Sequence, residues 1–437
     1  MRKYLLLLSV SVSALASWSC DSGDSSEGGA GAAGASTSSA GAPHAGAAQA
    51  GATATAGAHT GGASAGGSSA AGASNAGASN AGAPTVILGS GGPFPFPQNK
   101  KPGACTLTTA ANASASVQSA YNSWKSAMVT ANGAGTGGLR VQRNQDGNDT
   151  VSEGIGYGMI AAAYLADRTT FDGLWTFAKA HFDSNGLMNW HLNADGSVAS
   201  NGMGSASDAD EDMAWALIMA SNQWSSATYL NDAKAVINAM YTTSLAPDGT
   251  LKPGDNWGGT TKFYPDYFSP AYYRVFAQVT GNKTWSTVVI DRNYVILDKV
   301  AGSHGLVPDF TTTDDYSTAE KYGYDACRTP WRIGLDYCFN GEPRAKAYLD
   351  KIGPFFSGIG AANINDGYAN SGSSTGSNKN MAFIGPAGVS GMAGYQTLLD
   401  GAFSFGVTNA DTEYYKKSVG VLSMLMMSGN FVDFTKP

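Results

Sequence analysis

Between Lys3 and Lys100 the sequence contains no Lys or Arg, and between Trp18 and Phe94 it contains no aromatic residue. From Asp21 to about Gly92 it is almost entirely Gly, Ala, Ser, Thr and Asn. Such a stretch has no apolar surface to offset its ordering entropy, so it is expected to be a disordered linker spanning 21–93. A flexible coil of roughly 70 residues has a mean reach of about 45 Å. Basic residues are scarce overall, 26 against 33 acidic. That balance offers no basic patch and argues against a nucleic-acid partner. Histidine is scarce too, with five residues, and His44 and His59 lie in the linker. Their scarcity argues against a zinc site, so no metal or other cofactor is expected. Strand-like alternation is nearly absent, apart from the neighbourhood of Leu187–Leu192.

The few cysteines divide by position. Arg2 and Lys3 precede an apolar stretch, Tyr4 to Leu15, that is too short to span a bilayer. Ser17-Trp18-Ser19-Cys20 follows and resembles a bacterial lipobox. Residues 1–20 are therefore expected to be a lipoprotein-type export signal, with Cys20 lipidated and membrane contact made only through that anchor. Simple cleavage and secretion is the alternative. Of the remaining Cys105, Cys327 and Cys338, the last two are candidates for a disulfide, with a buried free thiol as the other reading.

Beyond Pro93 lie nearly all the Trp, Tyr, Phe and charge, which defines one globular domain over 94–437. Its apolar spacing is helical. Val117, Tyr121, Trp124 and Met128 form one stripe, and Phe171, Leu174, Trp175, Ala178 and Phe182 another. Further helices are expected over Glu153–Arg168, Asp208–Trp224, Tyr229–Tyr241, Pro270–Val279, Trp285–Val300, Pro330–Phe339, Pro343–Ile352 and Thr412–Met427. Turns such as Asn193-Ala194-Asp195-Gly196 and Ala246-Pro247-Asp248-Gly249 separate them. About ten to twelve helices without a fixed-period repeat point to a closed double ring of helices, with loops such as Asn363–Lys379 at its rim.

Three segments carry carboxylates in contexts suited to chemistry. Glu153 sits in Ser152-Glu153-Gly154-Ile155-Gly156-Tyr157-Gly158, where three glycines at every second position are poor helix material unless another chain approaches closely. Asp208, Asp210, Glu211 and Asp212 crowd five positions. A capped acidic first turn explains one or two of them. A calcium loop is disfavoured because Met213 stands where its glycine would be. Asp325 lies between Tyr324 and Arg328, ahead of Pro330, and Arg328 is placed to orient it, as catalytic partner or in a structural ion pair. Trp190 and Trp257 lie in polar, turn-rich contexts, as Trp residues that stack on sugar rings do. Tyr267 and the Tyr272–Tyr273 pair are less distinctive, and Tyr273 reads as core.

Ala206-Ser207-Asp208-Ala209-Asp210 with Met213-Ala214, Ser152-Glu153-Gly154 with Tyr157-Gly158, and Tyr324-Asp325-Ala326 with Arg328 and Pro330-Trp331-Arg332 together resemble glycoside hydrolase family 8. The likeness runs from about Cys105 to Phe434. It implies an all-α fold, an (α/α)6 barrel forming a single catalytic domain. It further implies an inverting endo-β-1,4-glucanase acting on cellulose-like or mixed-linkage glucan, with Glu153 as general acid, Asp325 as general base and Asp208 gripping the sugar at the cleavage point. Trp190, Trp257, Tyr267, Arg328 and Asp210 become substrate-binding candidates. Xylanase or chitosanase activity is the alternative within the family, and a glycan-binding surface lipoprotein the alternative outside it. The expected protein is exported, monomeric and in contact with a polysaccharide.

Overall fold

The computed structural model describes residues 94–258, 262–312 and 321–436. The export signal, Cys20 and the linker lie outside the described residues. Among those described, twelve α-helices follow one another: α1 (Ala113–Met128), α2 (Ser152–Tyr164), α3 (Arg168–Ala180), α4 (Ser207–Gln223), α5 (Ala227–Thr243), α6 (Pro270–Thr280), α7 (Ile290–Val300), α8 (Thr329–Asn340), α9 (Pro343–Ile359), α10 (Met381–Gly391), α11 (Gln396–Thr408) and α12 (Tyr414–Met427).

Burial alternates along this series. α4 and α10 are buried along their whole length and α2 at all but Glu153. Odd-numbered helices bury one stripe. On α1 that stripe is Val117, Tyr121, Trp124 and Met128, the four residues picked out by spacing. Covering each such large side chain contributes roughly 1.5–3 kcal/mol. The even helices therefore form an inner ring and the odd ones an outer ring. α2 packs on α4, α6 on α8, α8 on α10, α10 on α12, and α12 returns to α2. Between α4 and α6, Trp215 stacks on Tyr272 at 4.3 Å. This is the (α/α)6 barrel.

Two helices escaped the periodicity analysis. α10 carries Gly385, Gly388, Gly391 and Pro386, which are poor helix formers, and its burial on every side leaves no polar face to reveal a period. α11 escaped as well. The expected Glu153–Arg168 helix stops at Tyr164, because Ala166 turns left-handed (φ 56°) and the Asp167 side chain accepts from Thr170 N–H to start α3. α9 runs past the expected Ile352 to Ile359, through Pro354.

The disulfide joins Cys105 to Cys338, not Cys327 to Cys338. Cys327 lies ahead of α8 and Cys338 near its far end, about 16 Å apart at helical rise, well beyond bridging distance. Cys327 is a buried free thiol whose sulfur donates to the Tyr324 carbonyl at 3.1 Å.

The inner helices begin at one end of the barrel. Glu153 and Asp208 are the second residues of α2 and α4, Tyr414 is the first of α12, and Arg328 immediately precedes α8. Their N-terminal peptide dipoles converge on the same end and favour negative charge there.

Candidate active site

Arg328 is the centre of this end. Its side chain is buried, and four carboxylates lie within ion-pair reach. Nη1 donates to Glu153 Oε2, to Asp208 Oδ2 at 2.8 Å and to the Tyr157 hydroxyl at 3.1 Å. Nη2 lies 2.5 Å from Asp266 and 3.5 Å from Asp325. Glu153, Asp208 and Asp325, distant in sequence, thus share one guanidinium. Arg328 holds Asp325 more loosely than its three other partners.

Exposure separates the four acids. Glu153 and Asp325 retain 15% and 14% of their side-chain surface, against 3% for Asp208 and 0% for Asp266. Glu153 and Asp325 are the two acids with surface open at this end. Burial raises the Glu153 carboxyl above the ordinary range, partly offset by Arg328 and reinforced by the Asp208 charge. Tyr414 donates to Glu153 Oε1 at 2.7 Å. Burial pushes Asp325 up to about 7, with Arg328 acting against it and Asp309, Glu153 and Asp208 adding to it. Desolvation and like charge outweigh the neighbouring arginine.

Close packing explains the three glycines after Glu153. A Cβ on Gly156 would lie 2.8 Å from the Asp212 Cβ, and one on Gly154 would lie 3.0 Å from the Tyr414 ring. The α2 backbone therefore approaches α4 and α12 closely, which brings Glu153 to Asp208 and Tyr414. A two-stranded ribbon pairs Thr150–Val151 with His191–Leu192, and Ser152 N–H donates to the Trp190 carbonyl at 2.8 Å. Trp190 is thereby fixed beside the start of α2.

The acidic run on α4 divides among partners. Asp208 reaches Arg328 and Asp212 reaches Arg332. Glu211 accepts from the Tyr273 hydroxyl at 2.5 Å. Asp210 is fully buried and forms no ion pair with Arg328; Ser205, Asp255 and Asp208 surround it. Enclosed in this way, it presents no open surface at this end of the barrel.

The aromatics form a row. Trp257 Nε1 donates to the Ser205 carbonyl at 2.7 Å, and its ring meets Tyr264 edge-on at 6.2 Å. Tyr264 stacks on Tyr267 at 5.0 Å, and Tyr267 lies 5.4 Å from the Arg328 guanidinium. Trp190 Nε1 donates to the Asn201 carbonyl at 2.9 Å. Both tryptophans are half-buried, with their polar edges satisfied by one short segment, Asn201–Ser205. Tyr272 and Tyr273 are core residues. The Tyr324 hydroxyl donates to Asp366 at 2.9 Å and does not join Asp325.

Sequence reasoning missed Asp266 and Tyr414. Asp266 stands next to Tyr267, and an acid beside Pro265 at the start of a tight turn was the available signal. Tyr414 carried no signal beyond its place at a helix start.

A double ring of helices with one end lined by paired carboxylates and a row of aromatics is the architecture of a glycoside hydrolase. Residues 94–429 match the profile described as glycosyl hydrolases family 8. Endoglucanase A of Acetivibrio thermocellus is 41% identical over 334 residues, covering 72% of this chain and 70% of that protein. Endoglucanase 2 of Ruminiclostridium josui is 39% identical over 356 residues, covering 78% and 77%. The apo structure of a β-1,3-1,4-glucanase from Paenibacillus sp. X4 superimposes with a TM-score of 0.72 at 33% identity, covering 77% of this chain and 98% of that one. The chain belongs to glycoside hydrolase family 8 and hydrolyses polysaccharide.

Proposed function

We propose that this protein is an inverting endo-β-1,4-glucanase acting on cellulose-like and mixed-linkage β-glucans. Glu153 is the general acid and Asp325 the general base. One observation carries the assignment of roles: of the four carboxylates around Arg328, Glu153 and Asp325 are the two with open surface.

Inversion needs an acid that is protonated and a base that is ionised, with room between them for a water. Desolvation raises Glu153 and supports its holding the leaving-group proton. Asp325 at about 7 is matched to taking a proton from water near neutrality. Asp208 and Asp266 hold Arg328, and that grip supports a fixed Glu153. The row from Trp257 to Tyr267 supports stacking on successive sugar rings.

Glucan as the polymer rests on the relatives named endoglucanase and β-glucanase. Reducing-sugar release from barley β-glucan, carboxymethylcellulose, xylan and chitosan tests it. A glucan is hydrolysed fastest on this reading, and faster cleavage of xylan or chitosan overturns the substrate assignment.

Export with lipidation at Cys20 is proposed from Arg2, Lys3, the apolar stretch after them and the lipobox-like Ser17–Cys20. Cys20→Ser then releases the protein from membranes or leaves its precursor uncleaved. A mature variant that still sediments with membranes refutes the anchor.

A further inference from the structure

The turn that presents Asp325 is wrapped around a second carboxylate. Asp309 Oδ1 accepts from Gly323 N–H at 2.8 Å and from Ala326 N–H at 2.9 Å. Asp309 N–H in turn donates to the Lys321 carbonyl at 2.9 Å. Asp325 thus stands on a loop whose two flanking amides are tied to one oxygen atom. The fit leaves no space: a Cβ on Gly323 would lie 2.2 Å from Asp309 Oδ2. Asp309 belongs to none of the sequence motifs and pairs with none of the arginines at the site.

We propose that Asp309 is a positioning residue for the hydrolytic reaction, holding the turn that carries Asp325 and placing a second negative charge beside it that makes Asp325 a stronger base. The proposal rests on the reading of Asp325 as the base. Burial raises the Asp309 carboxyl above its ordinary range, and the Ala326 and Gly323 amides and the Lys321 ammonium act against that rise in favour of its charged form. The Cys327 thiol and the Tyr322 hydroxyl are its other titratable neighbours. Asp325 faces Arg328, and also Glu153 from α2, Asp208 from α4, and Asp266 and Tyr267 from the turn before α6. Arg328 is the one cation in that set and is shared among four acids. An additional anion behind Asp325 therefore weighs on it directly. A base made stronger in this way takes the proton of the attacking water more readily, at the cost of working only at higher pH.

Asp309→Asn retains an oxygen for the Gly323 and Ala326 amides and removes the charge. The pH profile of kcat/KM on soluble β-glucan is the readout. Asp325 must be ionised to act, so activity rises with pH through its pKa. Removing the neighbouring charge lowers that pKa, and the acid limb moves to lower pH by about one unit. The plateau falls several-fold because the base is weaker, while KM changes little. Asp309→Glu keeps the charge and disturbs the turn, so kcat falls without that downward shift. An acid limb that stays in place in folded Asp309→Asn, or that moves equally in Asp309→Glu, overturns the proposal. If Asp309→Asn does not fold, Lys321→Met serves instead: with less compensating charge the acid limb moves upward, and no movement overturns the proposal. Asp325→Asn, assayed in parallel, separates the two readings. Full turnover in that variant removes Asp325 as base. Its inactivity, combined with an unmoved limb in Asp309→Asn, defeats the positioning role alone.

Discussion

Arg332 grips Asp212 through both terminal nitrogens, each at 2.9 Å, one helical turn from the contact between Arg328 and Asp208. The two acids are four residues apart on α4 and the two arginines four residues apart at the start of α8. Helical spacing therefore makes two matched rungs between α4 and α8, the helices on either side of α6 in the inner ring. The upper rung borders the open end, and the lower one is fully enclosed.

The lower rung is expected to be structural. Asp212→Ala leaves the Arg332 charge buried without its principal partner and costs about 3–5 kcal/mol. The double variant Asp212→Leu with Arg332→Met removes both charges and recovers part of that loss. Denaturant unfolding of the three proteins checks the order. A single variant as stable as the parent would mean that water or Glu211 replaces the missing partner.

Two glycines should respond in opposite directions. Gly156→Ala forces the α2 and α4 backbones apart, because its methyl would sit 2.8 Å from the Asp212 Cβ. Such overpacking costs about 1–3 kcal/mol, and displacement of Glu153 lowers kcat as well. Gly358 lies in α9 with open space around the same methyl. Gly358→Ala is expected to stabilise by about 0.5–1 kcal/mol with activity unchanged. Thermal midpoints and initial rates measure both.

Trp257→Ala removes one end of the aromatic row and leaves the Ser205 carbonyl without its indole donor. KM on polymeric glucan rises several-fold, whereas cleavage of a short aryl glycoside that does not reach Trp257 changes less. Equal losses on long and short substrates would assign Trp257 to the scaffold.

Glu153→Gln retains shape and removes the proton donor. Hydrolysis of polymer, whose leaving group is a poor one, falls by about 10²–10⁴-fold. An aryl glycoside with a phenol of low pKa retains much more of its rate. Equal losses on both substrates would remove Glu153 as acid.

Most of the fold was legible because the outer helices are amphipathic. Spacing alone found α1, α3, α5 and most of α9. α10 was illegible because a helix buried on all sides shows no period, and its glycines and proline argue locally against helix. At the site, the motifs brought forward Glu153, Asp208, Asp325 and Arg328, since acids amid glycines and aromatics stand out in a chain. Asp210 was grouped with them by proximity in sequence, yet helical rotation turns it toward Ser205 and Asp255. Asp266 had only its place beside Pro265 and Tyr267, and Asp309 carried no such signal. Their importance comes from folding, which brings an arginine to one and a backbone turn around the other.

The stereochemistry of hydrolysis tests the central assignment most directly. A retaining enzyme attacks the sugar with a carboxylate held about 5–5.5 Å from the acid, whereas an inverting one leaves room for water. Proton NMR in the first minutes of β-glucan hydrolysis, before mutarotation, distinguishes the two. With Glu153 as acid and Asp325 activating water, the α-anomer appears first. Early appearance of the β-anomer would contradict both roles.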